Sequence, residues 1–304
     1  MPCHLGYRTL SQKGDSMKKK LSLIVCLFIF LIMAMGSGSN SKTELDSGNS
    51  STNSEIKKEI TVDQQLVLDE KDIKITVTGL ELDGWLGPQL KLLIENDSAE
   101  NITVQSRLSS VNGFMIYSTI SEDVAALKKA NTNISFEKSY LEKANIDTIA
   151  SMQFSFHIFN SDTWDSILES EPFTVYTSAL DYIQEVDDEG SILVDTKDIR
   201  IIAQGIDKDD SIFGPSLMLY IENNANLNIT IQARDVSVNG FMIDSIMSED
   251  ISIGNKSITS LTFMNSDLEE NGIENIEEIE LSFHIYNYDS YDTYLDTQTV
   301  KVEF

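Results

Sequence analysis

The residues best placed to do chemistry lie in two equivalent loops of the chain. Each loop holds two aspartates with an aromatic residue between them: Asp162, Trp164 and Asp165 in the first, and Asp289, Tyr291 and Asp292 in the second. Oxygen ligands at this spacing can bind calcium, and an aromatic ring between them can stack on a sugar. The EF-hand spacing and its glycine are missing, and Asx side chains also cap turns. The pattern therefore favours a structural turn with a packing aromatic, and a calcium- or glycan-binding loop is the alternative.

No other constellation in the sequence points to catalysis. His157 and His284 each lie between Phe and Ile, with no second His and no Cys nearby in sequence. A structural or surface histidine is therefore favoured over a metal ligand. The sequence contains no Gly-x-Ser-x-Gly elbow, no His-Glu-x-x-His motif and no phosphate-binding glycine loop. We predict a non-enzymatic protein with no catalytic residue, no metal and no cofactor.

The two loops belong to a longer segment that occurs twice. The stretch VNGFMIYSTISED at 111–123 returns as VNGFMIDSIMSED at 238–250, with 10 of 13 positions identical and an offset of 127. The run FSFHIFN at 154–160 returns as LSFHIYN at 281–287 at the same offset. We call residues 59–178 the first repeat and residues 191–304 the second repeat, with residues 179–190 as a short acidic linker.

The elements that must position the loops are strands. Apolar residues recur with a period of two, as in Ile73, Ile75 and Val77, which places them on one face of a strand. Asn112-Gly113 and Asn239-Gly240 predict two-residue hairpins, because both turn positions require positive φ. These hairpins should direct apolar side chains into each core: Val111, Phe114 and Ile116 in the first repeat, and Val238, Phe241 and Ile243 in the second.

Helical signals are limited to one short segment in each repeat. Ser139 with Glu142, and Ser266 with Glu269, have capping-box spacing. The predicted fold class is all-β: two tandem immunoglobulin-like antiparallel β-sandwiches, each with one short helix, behind an N-terminal signal or anchor helix.

Some strand positions that should face solvent are apolar. They are Leu93, Ile202, Met218 and Tyr220. Such positions predict either a contact with a partner or with the other repeat, or an edge covered by a loop.

The N-terminal residues predict export. Residues 1–36 comprise an upstream extension and a signal or anchor segment at 17–36, with three lysines ahead of an apolar run of 15 residues. Ser37 stands where a lipoprotein signal needs Cys, so we predict export without acylation, and an uncleaved single-pass anchor remains the alternative. Residues 37–58 are rich in Ser, Asn, Gly and Thr and predict a disordered tether.

Charge and cysteine content narrow the classes of partner. Subtracting the five Lys/Arg and one acid of residues 1–36 from the totals of 22 and 49 leaves 17 and 48, a net charge of −31. So acidic a chain argues against nucleic acid as a partner. Both cysteines, Cys3 and Cys26, precede the repeats, so disulfides cannot stabilise them.

Several motifs together carry a resemblance to a family. They are the Asn-rich turns IENDSAENITV and IENNANLNITI, the VNGFM hairpin, the SDLEENGI helix and the SFHIYN strand. The chain after residue 58 resembles tandem extracellular modules of unknown function in exported proteins of Gram-positive anaerobes. More distantly, it is similar to immunoglobulin-like domains related to a mycobacterial secreted antigen.

That resemblance implies a fold and a location, and it carries over no functional residue because no active site is established for the family. We therefore predict an exported cell-envelope protein whose two modules bind or space an extracellular or envelope protein or a glycan. The membrane would be contacted only through the N-terminal segment.

Overall fold

The computed structural model describes residues 59–304. The predicted extension, signal or anchor segment and tether lie outside these residues. Within the described part of the chain, no helix is long and apolar enough to cross a membrane.

Most of the described chain is β-strand. The first repeat contains β1 (Gln65–Glu70), β2 (Ile73–Glu81), β3 (Gln89–Asn96), β4 (Ile102–Val111), β5 (Phe114–Met115), β6 (Ser118–Thr119), β7 (Ser121–Val124), β8 (Lys128–Phe136), helix α1 (Lys138–Lys143), β9 (Ser151–Asn160), β10 (Ser166–Glu169) and β11 (Phe173–Tyr176).

The second repeat follows the same order of elements. It contains β12 (Ser191–Asp195), β13 (Ile199–Ser211), β14 (Gly214–Asn223), β15 (Ile229–Val238), β16 (Phe241–Met242), β17 (Ser245–Ile246), β18 (Ser248–Ile251), β19 (Lys256–Phe263), helix α2 (Asn265–Glu270), β20 (Glu278–Asn287), β21 (Thr293–Asp296) and β22 (Val300–Glu303).

Three sheets organise these strands. One has the order β1-β2-β3-β8-β6, and a second has the order β16-β15-β20-β21 with β18 on β15 and β22 on β20. The third runs β10-β9-β4-β5-β19-β14-β13-β12 and so continues from the first repeat into the second. Among the described strands, every pairing is antiparallel except that of β5 with β19. The architecture is therefore all-β and sandwich-like, as the alternation of residues predicts.

The apolar alternation determines which strand faces are buried. Ile73, Ile75 and Val77 are fully buried on β2, while the residues between them are half-buried. Strands from two sheets contribute to one apolar cluster in the first repeat. A second cluster lies mainly in the second repeat. In each cluster, apolar strand faces from two sheets pack against each other. The burial of these faces is the main favourable term in folding.

Both Asn-Gly hairpins form as predicted. Asn112 and Gly113 have φ of 51° and 83°, and Asn239 and Gly240 have 50° and 82°, as the two central positions of a type I′ turn require. In the first repeat all three predicted core residues are buried, and in the second Val238 and Ile243 are buried.

The prediction for Phe241 is wrong, because this side chain is 48% exposed whereas its counterpart Phe114 is 3% exposed. The two hairpins have the same local sequence, so the difference comes from what packs on them. The first hairpin is covered by the second repeat, and the second hairpin lies at the outer edge of its sheet.

Each repeat has its short helix, but the capping boxes do not form. The N-cap residues are Glu137 and Met264, with no side-chain capping bond. Both are extended residues that follow directly on a strand, so each helix begins before Ser139 or Ser266 could cap it. The two serines are instead the second residues of their helices.

Candidate functional site

The first aspartate-aromatic loop is built around Asn160. Its side-chain Oδ1 accepts the backbone N–H of Asp162 at 2.8 Å and of Thr163 at 3.1 Å. Its backbone carbonyl accepts the N–H of Trp164 at 2.8 Å. These bonds hold Trp164 at a φ of 66°, a conformation that a bulky residue adopts only where its surroundings impose it.

The second loop repeats this construction around Asn287. Its Oδ1 accepts the N–H of Asp289 at 2.8 Å and of Ser290 at 3.1 Å, and its carbonyl accepts the N–H of Tyr291 at 2.9 Å. Tyr291 has a φ of 62°. The alternation of Asx residues in both loops is therefore explained by turn formation.

The aspartates of the two loops hold polar neighbours. Asp162 accepts a bond from the Asn101 side chain at 3.0 Å, and Asp292 accepts one from the Ser290 hydroxyl at 2.9 Å. Among residues 59–304, no three His, Cys, Asp or Glu side chains are grouped so that they could hold a metal ion.

The aromatic residues of the loops lie on the surface. The Trp164 ring stacks on Phe159 with centroids 5.4 Å apart and an angle of 17° between planes, and Phe159 in turn contacts His157 at 5.2 Å. Trp164 keeps most of its surface exposed. In the second repeat Tyr291 is equally exposed and lies 6.2 Å from the next aromatic ring, that of Tyr286. Each loop therefore presents one flat aromatic face to solvent.

The two histidines belong to these aromatic rows. Nδ1 of His284 lies 2.6 Å from the Asp296 carboxylate, and Nδ1 of His157 contacts Glu169. A carboxylate therefore orients each imidazole from the neighbouring strand.

A cleft of about 840 Å³ lies beside the loop of the first repeat. Asp165 lines it, together with Asp72, Asp97 and Glu100 from two other loops, while Asp162 and Trp164 do not. In the second repeat Tyr294 donates a hydrogen bond to Asp198, the counterpart of Asp72, at 2.8 Å. That bond raises the pKa of Tyr294. The two loops thus have similar turns but different surroundings.

The most extensive arrangement of functional interest is the joint between the repeats, which we call the docking joint. Here the first hairpin contacts the segment Ser252–Lys256, which comprises the turn after β18 and the first residue of β19. The N–H of Lys256 donates to the carbonyl of Gly113 at 2.8 Å, and Phe114 pairs with Lys256. The side chain of Asn255 donates to Gln153 at 3.0 Å.

Apolar side chains complete the docking joint. Met115 is 8% exposed and packs in the core cluster of the second repeat, where the Ser252 hydroxyl contacts its sulfur at 3.3 Å. Ile202 and Tyr220 are fully buried and pack in the cluster of the first repeat. The apolar strand positions predicted a contact with a partner, a contact with the other repeat, or an edge covered by a loop. Contact between the repeats accounts for Ile202 and Tyr220, whereas Leu93 and Met218 are half-buried.

Two ionisable groups near the joint have shifted pKa values. Burial, with a hydrogen bond to Glu222, raises the pKa of the Tyr220 hydroxyl. Burial also raises the pKa of Glu249, and hydrogen bonds from Ser257 at 2.6 Å and Thr259 at 3.0 Å partly offset it. The positive charge of Lys143 in the first repeat lowers that pKa as well.

Sequence reasoning did not single out the turn Ser252–Lys256. The signal available there was divergence: the first repeat has Ala125-Ala126-Leu127-Lys128 where the second has Ser252-Ile253-Gly254-Asn255. The two repeats have nearly the same hairpin sequence but different sequences in this turn. Only the turn of the second repeat is contacted by a hairpin.

Comparison with known proteins adds little. No protein-family model and no curated protein matches the chain. Among solved structures, the YadV chaperone is 12% identical with a TM-score of 0.23, covering 77% of this chain and 100% of its own.

A protein of unknown function from Porphyromonas gingivalis W83 is 9% identical with a TM-score of 0.20, covering 79% of this chain and 96% of its own. The Salmonella enterica SafA pilin in complex with the SafB chaperone is 11% identical with a TM-score of 0.17, over 71% and 89%. At TM-scores this low, none of the three bears on what this chain does.

Proposed function

We propose that this protein is an exported, non-enzymatic cell-envelope protein in which two immunoglobulin-like modules form one stiff spacer that presents binding surfaces outside the cell. The observation that carries the proposal is the docking joint. A sheet that crosses from one repeat into the other resists bending far better than a flexible linker does.

Contacts of the linker support the same proposal. The side chain of Gln184 donates to the carbonyl of Asn145 in the first repeat at 3.0 Å. A few residues later, the carbonyl of Asp187 accepts a bond from Gln204 in the second repeat at 2.9 Å, and Asp188 pairs with Arg200 at 2.6 Å. The linker is thus bonded to both repeats, which leaves little freedom for a hinge.

Export and the envelope location rest on the sequence. The basic start and apolar run at 17–36, the polar segment 37–58 and the acidic composition together favour an extracellular module held away from the cell surface. The test is fractionation of the producing cells with intact-mass measurement of the native protein. We expect envelope or medium fractions, with a chain that begins near Ser37 or retains the apolar run. A cytoplasmic protein with an intact start would refute the proposal.

A second candidate function is glycan binding at the two aromatic loops. It is favoured by one observation: Trp164 and Tyr291 each present an exposed ring beside aspartates at equivalent places. We expect the double variant Trp164→Ala/Tyr291→Ala to abolish binding on a glycan array, and Trp85→Ala, which removes another exposed tryptophan, to leave it intact. Absence of binding by the wild-type protein, or equal loss in both variants, would contradict this candidate.

A further inference from the structure

The second repeat carries a copy of the hairpin that the first repeat uses to dock. Phe114 and Met115 are 3% and 8% exposed, whereas Phe241 and Met242, in the same VNGFM sequence, are 48% and 67% exposed. Strand β16 lies at the outer edge of its sheet, and no other described strand pairs with that edge. An edge strand with exposed apolar side chains is a template for another chain.

The first repeat carries the matching acceptor. One edge of β19 in the second repeat has two partners. Strand β5 of the first repeat pairs with the beginning of β19, and β17 of the second repeat pairs only with its end. In the first repeat, β6 pairs with the end of β8 at Ser135 and Phe136, and among the described strands nothing pairs with the same edge at its beginning. The open edge at Lys129 therefore corresponds to the edge that Lys256 uses in the docking joint.

The turn ahead of this edge has the conformation of its docked counterpart. Leu127 has a φ of 58° and Gly254 a φ of 72°. The turns are closed by equivalent bonds, from Lys128 to Ala125 and from Asn255 to Ser252, each at 3.1 Å. The backbone of Leu127 is in the left-handed region, which is unfavourable for a leucine. The side chain of Leu127 is 70% exposed, so this turn presents an apolar side chain to solvent.

The strand beside the exposed hairpin of the second repeat and the exposed turn of the first repeat carry opposite charges at one pair of positions. In the docking joint Asn255 bonds to Gln153. At the offset of 127 the counterparts are Lys128 and Glu280, so docking of the free hairpin on the free turn would replace a neutral amide pair by opposite charges.

We propose that the free hairpin of one molecule, Asn239–Met242, docks on the free turn of a second copy of this chain, Ala125–Lys129, by the same pairing that joins the two repeats. The contact is head-to-tail, so each molecule offers one donor and one acceptor and the assembly is open-ended. Association should be weaker than the internal joint, because Thr76 and Leu93 replace Ile202 and Tyr220 on the acceptor face. This inference names a second copy of the chain as a partner of the proposed spacer, and it rests on the proposed function only for that role.

The test is sedimentation of the full chain in density-matched detergent, with one blocked variant for each side. Met242→Asp blocks the donor and Leu127→Asp blocks the acceptor, and both side chains are exposed, so neither change should unfold the protein. We expect the wild type to form species larger than a dimer as concentration rises, and each blocked variant to be monomeric. The control Tyr291→Asp, at the other end of β15 from the hairpin, should associate like the wild type.

Mixing decides the head-to-tail geometry. The donor-blocked variant retains its acceptor and the acceptor-blocked variant retains its donor, so an equimolar mixture should form one-to-one dimers and nothing larger. Combining Lys128→Glu with Glu280→Lys should restore association that either change alone weakens at least tenfold. A wild type that stays monomeric up to about 1 mM, or association that survives both blocks, would overturn the inference. The stiff-spacer proposal would stand in either case, because it concerns only the internal joint.

Discussion

The substitution Met115→Ala should lower the free energy of unfolding far more than Met242→Ala. The two methionines occupy equivalent positions in hairpins of the same sequence, and they differ in what covers them. Met115 packs in the core of the second repeat, so Met115→Ala removes side-chain atoms from a buried contact between the repeats.

The magnitude follows from burial. Truncating a fully buried Met to Ala costs about 2–5 kcal/mol, the larger values arising where a cavity cannot collapse. Met115 is 8% exposed, so it is not completely buried, and we expect a value in the lower part of this range, about 2–3 kcal/mol. Met242 is two-thirds exposed, and its truncation should change the free energy of unfolding by no more than about 0.5 kcal/mol.

Urea denaturation followed by pulsed amide hydrogen exchange gives a separate transition for each repeat. Peptides from residues 59–178 report on the first repeat, and peptides from residues 191–304 report on the second. The two transitions should coincide in the wild type and in Met242→Ala, and should separate in Met115→Ala because the repeats lose their coupling. Equal destabilisation by the two truncations, with coincident transitions in both, would refute the reasoning.

Three further predictions concern turns and titration. Gly113→Val and Gly240→Val should each lower the free energy of unfolding by about 1–3 kcal/mol in calorimetry through the positive-φ penalty, and an unshifted transition would contradict the turn assignment. Asn160→Ala should cost about 1 kcal/mol by removing the side-chain cap of its loop, and a neutral effect in the same assay would refute that role. The folded protein binds the Glu249 proton more tightly than the unfolded chain does, so this group's contribution to stability falls as pH rises from the ordinary pKa of 4.5 through the raised folded pKa. Glu249→Gln should therefore raise the melting temperature at pH 7 and flatten this slope, and a variant less stable than wild type at pH 7 would show the sign to be wrong.

Local pattern predicted the strands and the hairpins well. The alternation at Ile73, Ile75 and Val77 and the Asn-Gly pairs depend on residues close together in sequence, and both appear in the structure as expected. The helix starts were missed because capping depends on where the preceding strand ends, which the Ser-to-Glu spacing does not specify.

The docking joint could not be derived from local pattern. Phe114 and Phe241 have the same neighbours in sequence, yet one is buried and the other is half-exposed. The difference arises from a contact between residues more than a hundred positions apart, such as Met115 with Ser252. The aromatic loops were a mixed case. Turn capping by Asx side chains was predicted and forms around Asn160, whereas the outward position of Trp164 was not predicted.

The central claim is that docking of the first hairpin makes the two repeats one rigid body. A distance measurement by pulsed electron–electron double resonance tests it directly. Spin labels are attached at Glu171→Cys and Gln298→Cys in a chain whose Cys3 and Cys26 are replaced by serine. Both label sites are exposed and lie in different repeats. We predict a single narrow distance distribution, unchanged by Met242→Asp and strongly broadened by Met115→Asp. A broad distribution in the parent chain would contradict the claim.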